Sequence, residues 1–240
     1  MSSVQTFHLP HFPSYPIYIS LFKDVENASF LRQQLLEANA EFEYAFLDAT
    51  MVCVPLRFCI NLWVTCKTLI CNQILSTTHA FAAVFRALND MLNSRLKSRN
   101  VHSEVVFSLN PNNNIADAFR RFGIADTTRI LLAIKISTNL NTTAEGVERH
   151  LSSSITGVAI PFTNDVLANI TDLVKVRKIY KLDASNMNSS GSVGKKGKRG
   201  KSGGNEEVII NGDANSLEAG LDERVEMESV ILGIMALKGS

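Results

Sequence analysis

At 240 residues the chain can bury a real core, as one large domain or two small ones. Apolar residues make up 45% and charged residues 20%, the ordinary composition of a globular soluble protein. A net charge of +1 excludes a global field that attracts nucleic acid or membrane, so any such binding must come from a local patch.

The N-terminal stretch MSSVQTFHLPHFPSYP carries Pro10, Pro13 and Pro16 and no basic region followed by an apolar run. No signal peptide is expected, so the sequence predicts an intracellular, reducing compartment without disulfides. In that setting the Asn-x-Ser/Thr triplets at Asn27, Asn141, Asn169 and Asn188 carry no meaning. PIYISLF (16–22) alternates and is rich in β-branched and aromatic residues, which predicts a strand. Asn27 can then cap a helix whose Ala28, Leu31, Leu35 and Ala38 sit at helical spacing. YAFLDA (44–49) reads as a second short strand.

The clearest helix is STTHAFAAVFRALNDMLNSRL (76–96), capped by Ser76 or Thr77, with Phe81, Val84, Phe85, Leu88 and Leu92 as its apolar stripe. HSEVVFSL (102–109) fits a strand or a buried helix equally well. PNNN (111–114) is turn chemistry. Asn114 suits an N-cap, because its side-chain oxygen can accept from a first-turn N–H. Ile115, Ala118, Phe119 and Phe122 follow on one face, and Gly123 ends the helix. RILLAIKI (129–136) reads as a buried strand. TDLVKVRKIYKL (171–182) reads as a helix with Leu173, Val176 and Tyr180 on one side.

Within 183–215, the stretch ASNMNSSGSVGKKGKRGKSGGN (184–205) holds almost no apolar side chains and cannot offset its ordering entropy, so 183–215 reads as a disordered basic Gly/Ser/Lys linker. A last helix is expected over 221–239. Asp222 and Glu223 suit its positive end, Lys238 its negative end and Gly239 its stop, and Met227, Val230, Ile231, Ile234 and Met235 form the buried face. A helix this apolar should return to the same core. The sequence therefore predicts one α/β domain from 1–182 and 216–240: a small mixed β-sheet flanked by several helices, with the C-terminal helix packed back on the core.

Catalytic motifs are missing. GKRGKS (197–202) imitates a phosphate loop, but Lys195 stands where the first glycine belongs and no strand precedes it. Lys195, Lys196, Lys198, Arg199 and Lys201 are instead a candidate nuclear-import signal within a solvated linker. The four cysteines contain no C-x-x-C pair, so no metal site is expected. His8, His11, His79, His102 and His150 are scattered, and His79 is expected to be solvent-facing or packed rather than catalytic. No nucleophile elbow, H-E-x-x-H or paired carboxylate is present.

Four stretches carry more than periodicity: SLFKDVENASFLRQQL (20–35), RLKSRNVHSEVVFSLNPNNNIADAFRRFGI (95–124), ITDLVKVRKIYKL (170–182) and ESVILGIMALKG (228–239). Together they resemble the small kinase-binding subunit of the KEOPS/EKC complex, the PRPK-binding or TPRKB-like family. The resemblance implies a non-catalytic protein, without cofactor, metal or small-molecule substrate of its own, that binds a PRPK-type kinase. The complex installs threonylcarbamoyl on tRNA in nucleus and cytoplasm, and such subunits help hold the tRNA by its single-stranded 3′ end; eukaryotic relatives are tied to telomere maintenance. The residues suit that role. Arg95, Lys97 and Arg99 form an alternating basic trio fit for phosphates. Arg120 and Arg121 lie on the polar side of the helix that Asn114 opens, whose start offers N–H donors to a phosphate. Asn112 and Asn113 can read exposed base edges. For the kinase, the apolar candidates are Ile231 and Met235 on the last helix and Phe30 and Leu31 on the first. An enzyme in its own right and a nuclear nucleic-acid-binding protein acting through the basic linker are the competing readings.

MVCVPLRFCINLWVTCKTLICNQ (51–73) holds all four cysteines (Cys53, Cys59, Cys66, Cys71) and the only tryptophan, Trp63. Removing Val52 through Gln73 joins FLDATM to ILSTTHAFAAVFRALND, which runs like the family pattern without a gap. The window starts with valine, whose codons begin GT, and ends with glutamine, one of whose codons is CAG. We read residues 52–73 as an anomalous apolar insertion, translated from a retained intron. A membrane span and a real helical insertion are the alternatives. Arg57 and Lys67 weigh against a span, at about 2.5–3.5 kcal/mol per charge at a bilayer centre.

Overall fold

The computed structural model describes residues 3–49, 76–138, 142–171, 173–182 and 214–238. Its sheet is organised around strand β2 (Ile17–Lys23), six of whose seven residues are buried. The alternation of side chains across a strand sends Ile17, Ile19 and Leu21 into one core cluster and Tyr18 and Phe22 into a second on the opposite face. Strand β4 (Leu131–Ile136) pairs along the length of β2, and β3 (Ala45–Asp48) pairs with β4. The other side of β2 is shared between β1 (Gln5–Phe7), opposite Ile17–Ile19, and β5 (Val158–Ile160), opposite Leu21–Lys23. Every pairing among the described strands is antiparallel, so the sheet of this α/β domain is not of mixed direction.

On one face lie α1 (Ala28–Leu36), a 3₁₀ turn (Ala40–Phe42) and α5 (Ala144–Ser154), which bury Leu31, Phe42, Val147 and Leu151. The other face carries α2 (Thr77–Leu92), α3 (Val101–Leu109), α4 (Ile115–Phe122), α6 (Asn164–Ile170), α7 (Leu173–Tyr180) and α8 (Ala214–Leu237). Met227, Ile231 and Met235 of α8 belong to that core, so the C-terminal helix does return to the body of the domain. It starts ahead of residue 221, which places Asp222 and Glu223 inside the helix rather than in its first turn.

Several local readings change in three dimensions. The buried side of α2 is Ala80, Ala83, Val84, Ala87 and Leu88 with His79, whereas Phe85 and Leu92 are 38% and 48% exposed. Small side chains let α2 lie close against α3, and the bulky ones turn outward, Phe85 meeting the rings of His11 and Phe12. The ambiguous 102–109 run is helix, because the Asn100 side chain accepts from the Ser103 N–H and caps it. Ile115 of α4 is exposed and Phe119 only partly buried, leaving Ala118 and Phe122 as its core contacts. Asn27 precedes α1 as expected, yet its side chain does not cap it. The amide donates to the Ser154 carbonyl (2.7 Å) and accepts from the Thr156 N–H (3.0 Å), tying α1 to the end of α5. Gly123 ends α4 in extended rather than left-handed backbone. A Cβ there would lie 2.6 Å from the Phe119 carbonyl oxygen, which is why no side chain fits.

Strands β1 and β5 and helices α5 and α6 carry weak apolar patterns and were not expected from periodicity. The window 52–73, its cysteines and Trp63, the tract up to 213 and the import candidate Lys195–Lys201 lie outside the described residues. Among the described residues no helix is long and apolar enough to cross a membrane, and no cluster of His, Cys, Asp and Glu is arranged to hold a metal.

Candidate docking surfaces

The basic trio owes its conformation to a buried acid. Glu104, in the first turn of α3, is fully buried, and its Oε2 accepts from the backbone N–H of Lys97 (3.1 Å) and Ser98 (2.7 Å) and from the Ser98 hydroxyl (2.5 Å). That carboxylate folds the loop between α2 and α3 so that Arg95, Lys97 and Arg99 are all exposed. They do not share one surface. Arg95 lies 3.3 Å from Asp90 and borders a groove between α2 and α8. The Lys97 ammonium sits 5.9 Å from the Phe107 ring centre. Arg99 faces the opposite way, into a groove of about 650 Å³ between α1, α3, α4 and the 3₁₀ turn, where Arg32 and Arg120 also stand.

The α1–α4 groove has an apolar floor and a polar rim. Phe42, Phe46, Val106 and Phe119 line it, and Arg32 closes one side by pairing with Asp126 at 3.0 Å. Near its end, Asn112 and Asn114 turn out to be structural. Asn112 accepts from the buried Asn110 amide (2.6 Å) and donates to Asp117 (3.1 Å), and Asn114 caps α4 through the Asp117 N–H (3.0 Å). Asn113 stays exposed. The α4 start was expected to offer itself to a phosphate, but Asp117 in its first turn already supplies an anion. Its carboxylate pairs with Arg120 and with Arg121 (2.8 Å). Arg120, with Asn112, Arg121 and Asn110, holds the Asp117 carboxyl well below the usual carboxylate range against the opposing effect of burial.

Of the apolar candidates for a partner, Leu31 and Ile231 are buried in the chain's own core, Met235 is buried but also lines the groove between α2 and α8, and Phe30 is 44% exposed and packs edge-on to Phe42. The apolar surface that remains on α2 and α8 consists of other residues: Phe85, Leu92, Val225, Val230 and Leu237, five of the ten exposed large hydrophobic residues described. Between the two helices runs the second groove, of about 450 Å³, walled by Ala82, Phe85, Leu232 and Ala236. No sequence periodicity pointed to it, since it arises where two helices distant in the chain pack side by side.

Lys238 closes one end of this groove. Its role at the α8 terminus is larger than a dipole partner: the side chain is buried, its ammonium donates to the Phe107 carbonyl in the last turn of α3, and it lies 3.5 Å from the Phe107 ring centre. Burial, then the neighbouring Arg86 and Lys97, push its pKa down to about 7, with Glu104 and Asp90 opposing. Arg86 donates to the Met235 carbonyl and stands 3.7 Å from Asp90.

His79 is packed rather than exposed. Its Nε2 lies 2.9 Å from the Tyr180 hydroxyl, which donates to the Leu109 carbonyl (2.5 Å). Burial pushes its pKa down to about 4, so it stays neutral and links α2, α3 and α7.

The sequence profile of the family described as kinase binding protein CGI-121 matches residues 22–60 and 65–239. A protein of Aspergillus terreus named EKC/KEOPS complex subunit cgi121 is 50% identical over 183 residues, covering 76% of this chain and 82% of its own. The protein of that name from Phaeosphaeria nodorum is 40% identical over 252 aligned positions, 99% of this chain and 100% of its own. The Schizosaccharomyces pombe protein is 30% identical over 179 residues, 75% of this chain and 89% of its own.

Proposed function

The chain belongs to the CGI-121 family of kinase-binding proteins, and from that premise we propose that it is a non-catalytic EKC/KEOPS subunit that docks a PRPK-type kinase on the α2–α8 face. The observation that carries this reading is the groove between α2 and α8, whose apolar lining is Ala82, Phe85, Leu232, Met235 and Ala236, with Phe85 38% exposed. Contiguous apolar surface is favourable to cover and marks interaction faces. The helices that display it are pinned from behind by Met227, Ile231 and Met235, so the face is presented without ordering cost.

Transfer RNA is the second partner in this reading, and it engages the opposite side of α3. There Arg99, Arg120 and Arg32 surround the α1–α4 groove, offering phosphate contacts around aromatic side chains on which an unpaired base can stack. Asn112, Asn114 and Arg121 hold the start of α4 through Asp117, the helix that carries Arg120 into the groove. The subunit works in nucleus and cytoplasm, and it carries partners rather than a reaction.

The test is binding of the kinase subunit and of tRNA to the full chain and two variants. Ala236→Trp, which fills the α2–α8 groove, is expected to abolish kinase capture at an unchanged melting temperature and to keep tRNA binding. Arg99→Glu should weaken tRNA binding at least several-fold and keep the kinase. Undiminished kinase binding by the tryptophan variant would exclude this face as the dock.

A further inference from the structure

We propose that the part of the α2–α8 groove lined by Arg86, Arg95 and Lys238, with Lys97 beside Lys238, receives a carboxylate side chain projecting from an otherwise apolar segment of the kinase partner; this rests on the α2–α8 face being the dock. The charges facing this point come from every element around it. α2 supplies Arg86 and Asp90, the α2–α3 loop supplies Arg95 and Lys97, α3 supplies Glu104, and the end of α8 supplies Lys238. Three full cations, with Lys238 buried beside them on the Phe107 carbonyl, thus face two carboxylates. Glu104 is already engaged through Oε2 with the loop backbone. Asp90, with its side chain 14% exposed, is shared between Arg86 and Arg95. The local excess is positive, and it lies at the mouth of an apolar trough.

A purely apolar occupant would strip water from Arg95 and Lys97 and return nothing, a cost that selects against it. An occupant carrying one acid among apolar residues gains from both parts of the groove. A nucleic-acid strand matches less well. Its phosphates would recur along the groove, where Ala82, Phe85, Leu232 and Ala236 offer them only apolar surface and the cations Arg86, Arg95 and Lys238 are gathered on one part of it. The basic trio of the sequence therefore serves two partners, Arg95 and Lys97 on the protein side of α3 and Arg99 on the RNA side.

The experiment measures association rate and affinity for the kinase subunit at low and high salt, using the full chain and the variants Arg95→Glu, Lys97→Glu and Ala236→Trp. Arg95 has a side chain 61% exposed, and Lys97 is exposed, so both reversals are expected to fold, with thermal melting as the check. Each reversal is expected to lower kinase affinity about tenfold or more at low salt, mainly through the association rate, with the gap narrowing as salt rises. Kinase affinity within twofold of the parent in both reversals, while Ala236→Trp loses the kinase, would overturn the carboxylate and leave the face standing. Loss of tRNA affinity alone in the reversals would also overturn it and assign these cations to RNA. Retained binding by Ala236→Trp would remove the face and the proposal together.

Discussion

Lys238→Met tests whether a buried cation costs this fold stability in a way that pH can reveal. The lysine pKa falls from 10.5 to about 7 on folding, because burial disfavours the ammonium and Arg86 and Lys97 repel it. Between these values the unfolded chain binds more protons than the folded one, so stability rises with pH across the window. Below pH 7 both states are protonated and the penalty is full; above 10.5 both are neutral and it is gone. The drop sets a ceiling of about 5 kcal/mol, and screening at the helix end reduces this to about 1–3 kcal/mol. Against that, methionine leaves the Phe107 carbonyl without its donor, a loss of about 1 kcal/mol, and removes the ammonium from the Phe107 ring. The variant is therefore expected to be up to about 2 kcal/mol more stable than the parent at pH 6, with the advantage gone or reversed by pH 10. Urea unfolding of both proteins at pH 6, 8 and 10 measures it, and groups common to the two chains cancel in the difference. A difference that stays constant with pH, or a variant weaker at pH 6, would refute the reasoning.

Ile231→Ala removes a fully buried branched side chain from the junction of α2, α7 and α8 and should cost about 2–4 kcal/mol in urea unfolding, with faster amide exchange in α8 before the sheet. A cost under about 0.5 kcal/mol would mean that α8 is not part of the cooperative core. Gly123→Ala should cost about 1–3 kcal/mol, since the added methyl meets backbone at 2.6 Å rather than a movable side-chain end. A melting temperature equal to the parent's would show that the α4–β3 junction relaxes at no cost.

The amino-acid order by itself was enough to place β2, β4 and the cap at Asn114, and to narrow the α2 cap to Ser76 or Thr77. In each case the deciding interaction is local: alternation within one strand, or a side chain folding onto the next turn. The family likeness was legible for the same reason, being written in contiguous stretches. Strands β1 and β5 were not legible, because each holds three residues stabilised only by β2. Nor was the outward turn of Phe85, since alanines and phenylalanines share the α2 period and only the closeness of α3 decides which group is buried.

The candidate sites divide along the same line. That Arg95, Lys97 and Arg99 are basic and closely spaced is a fact of sequence; that Arg95 and Arg99 border two different grooves while Lys97 lies over Phe107 is a fact of packing. Leu31, Ile231 and Met235 look like partner surface or core equally well in a helical pattern, because periodicity gives a face and not what covers it. Covering is settled by elements far away in the chain. Which residues are available to dock is written in the amino-acid order, and the meeting of α2 with α8 decided which of them remain at the surface.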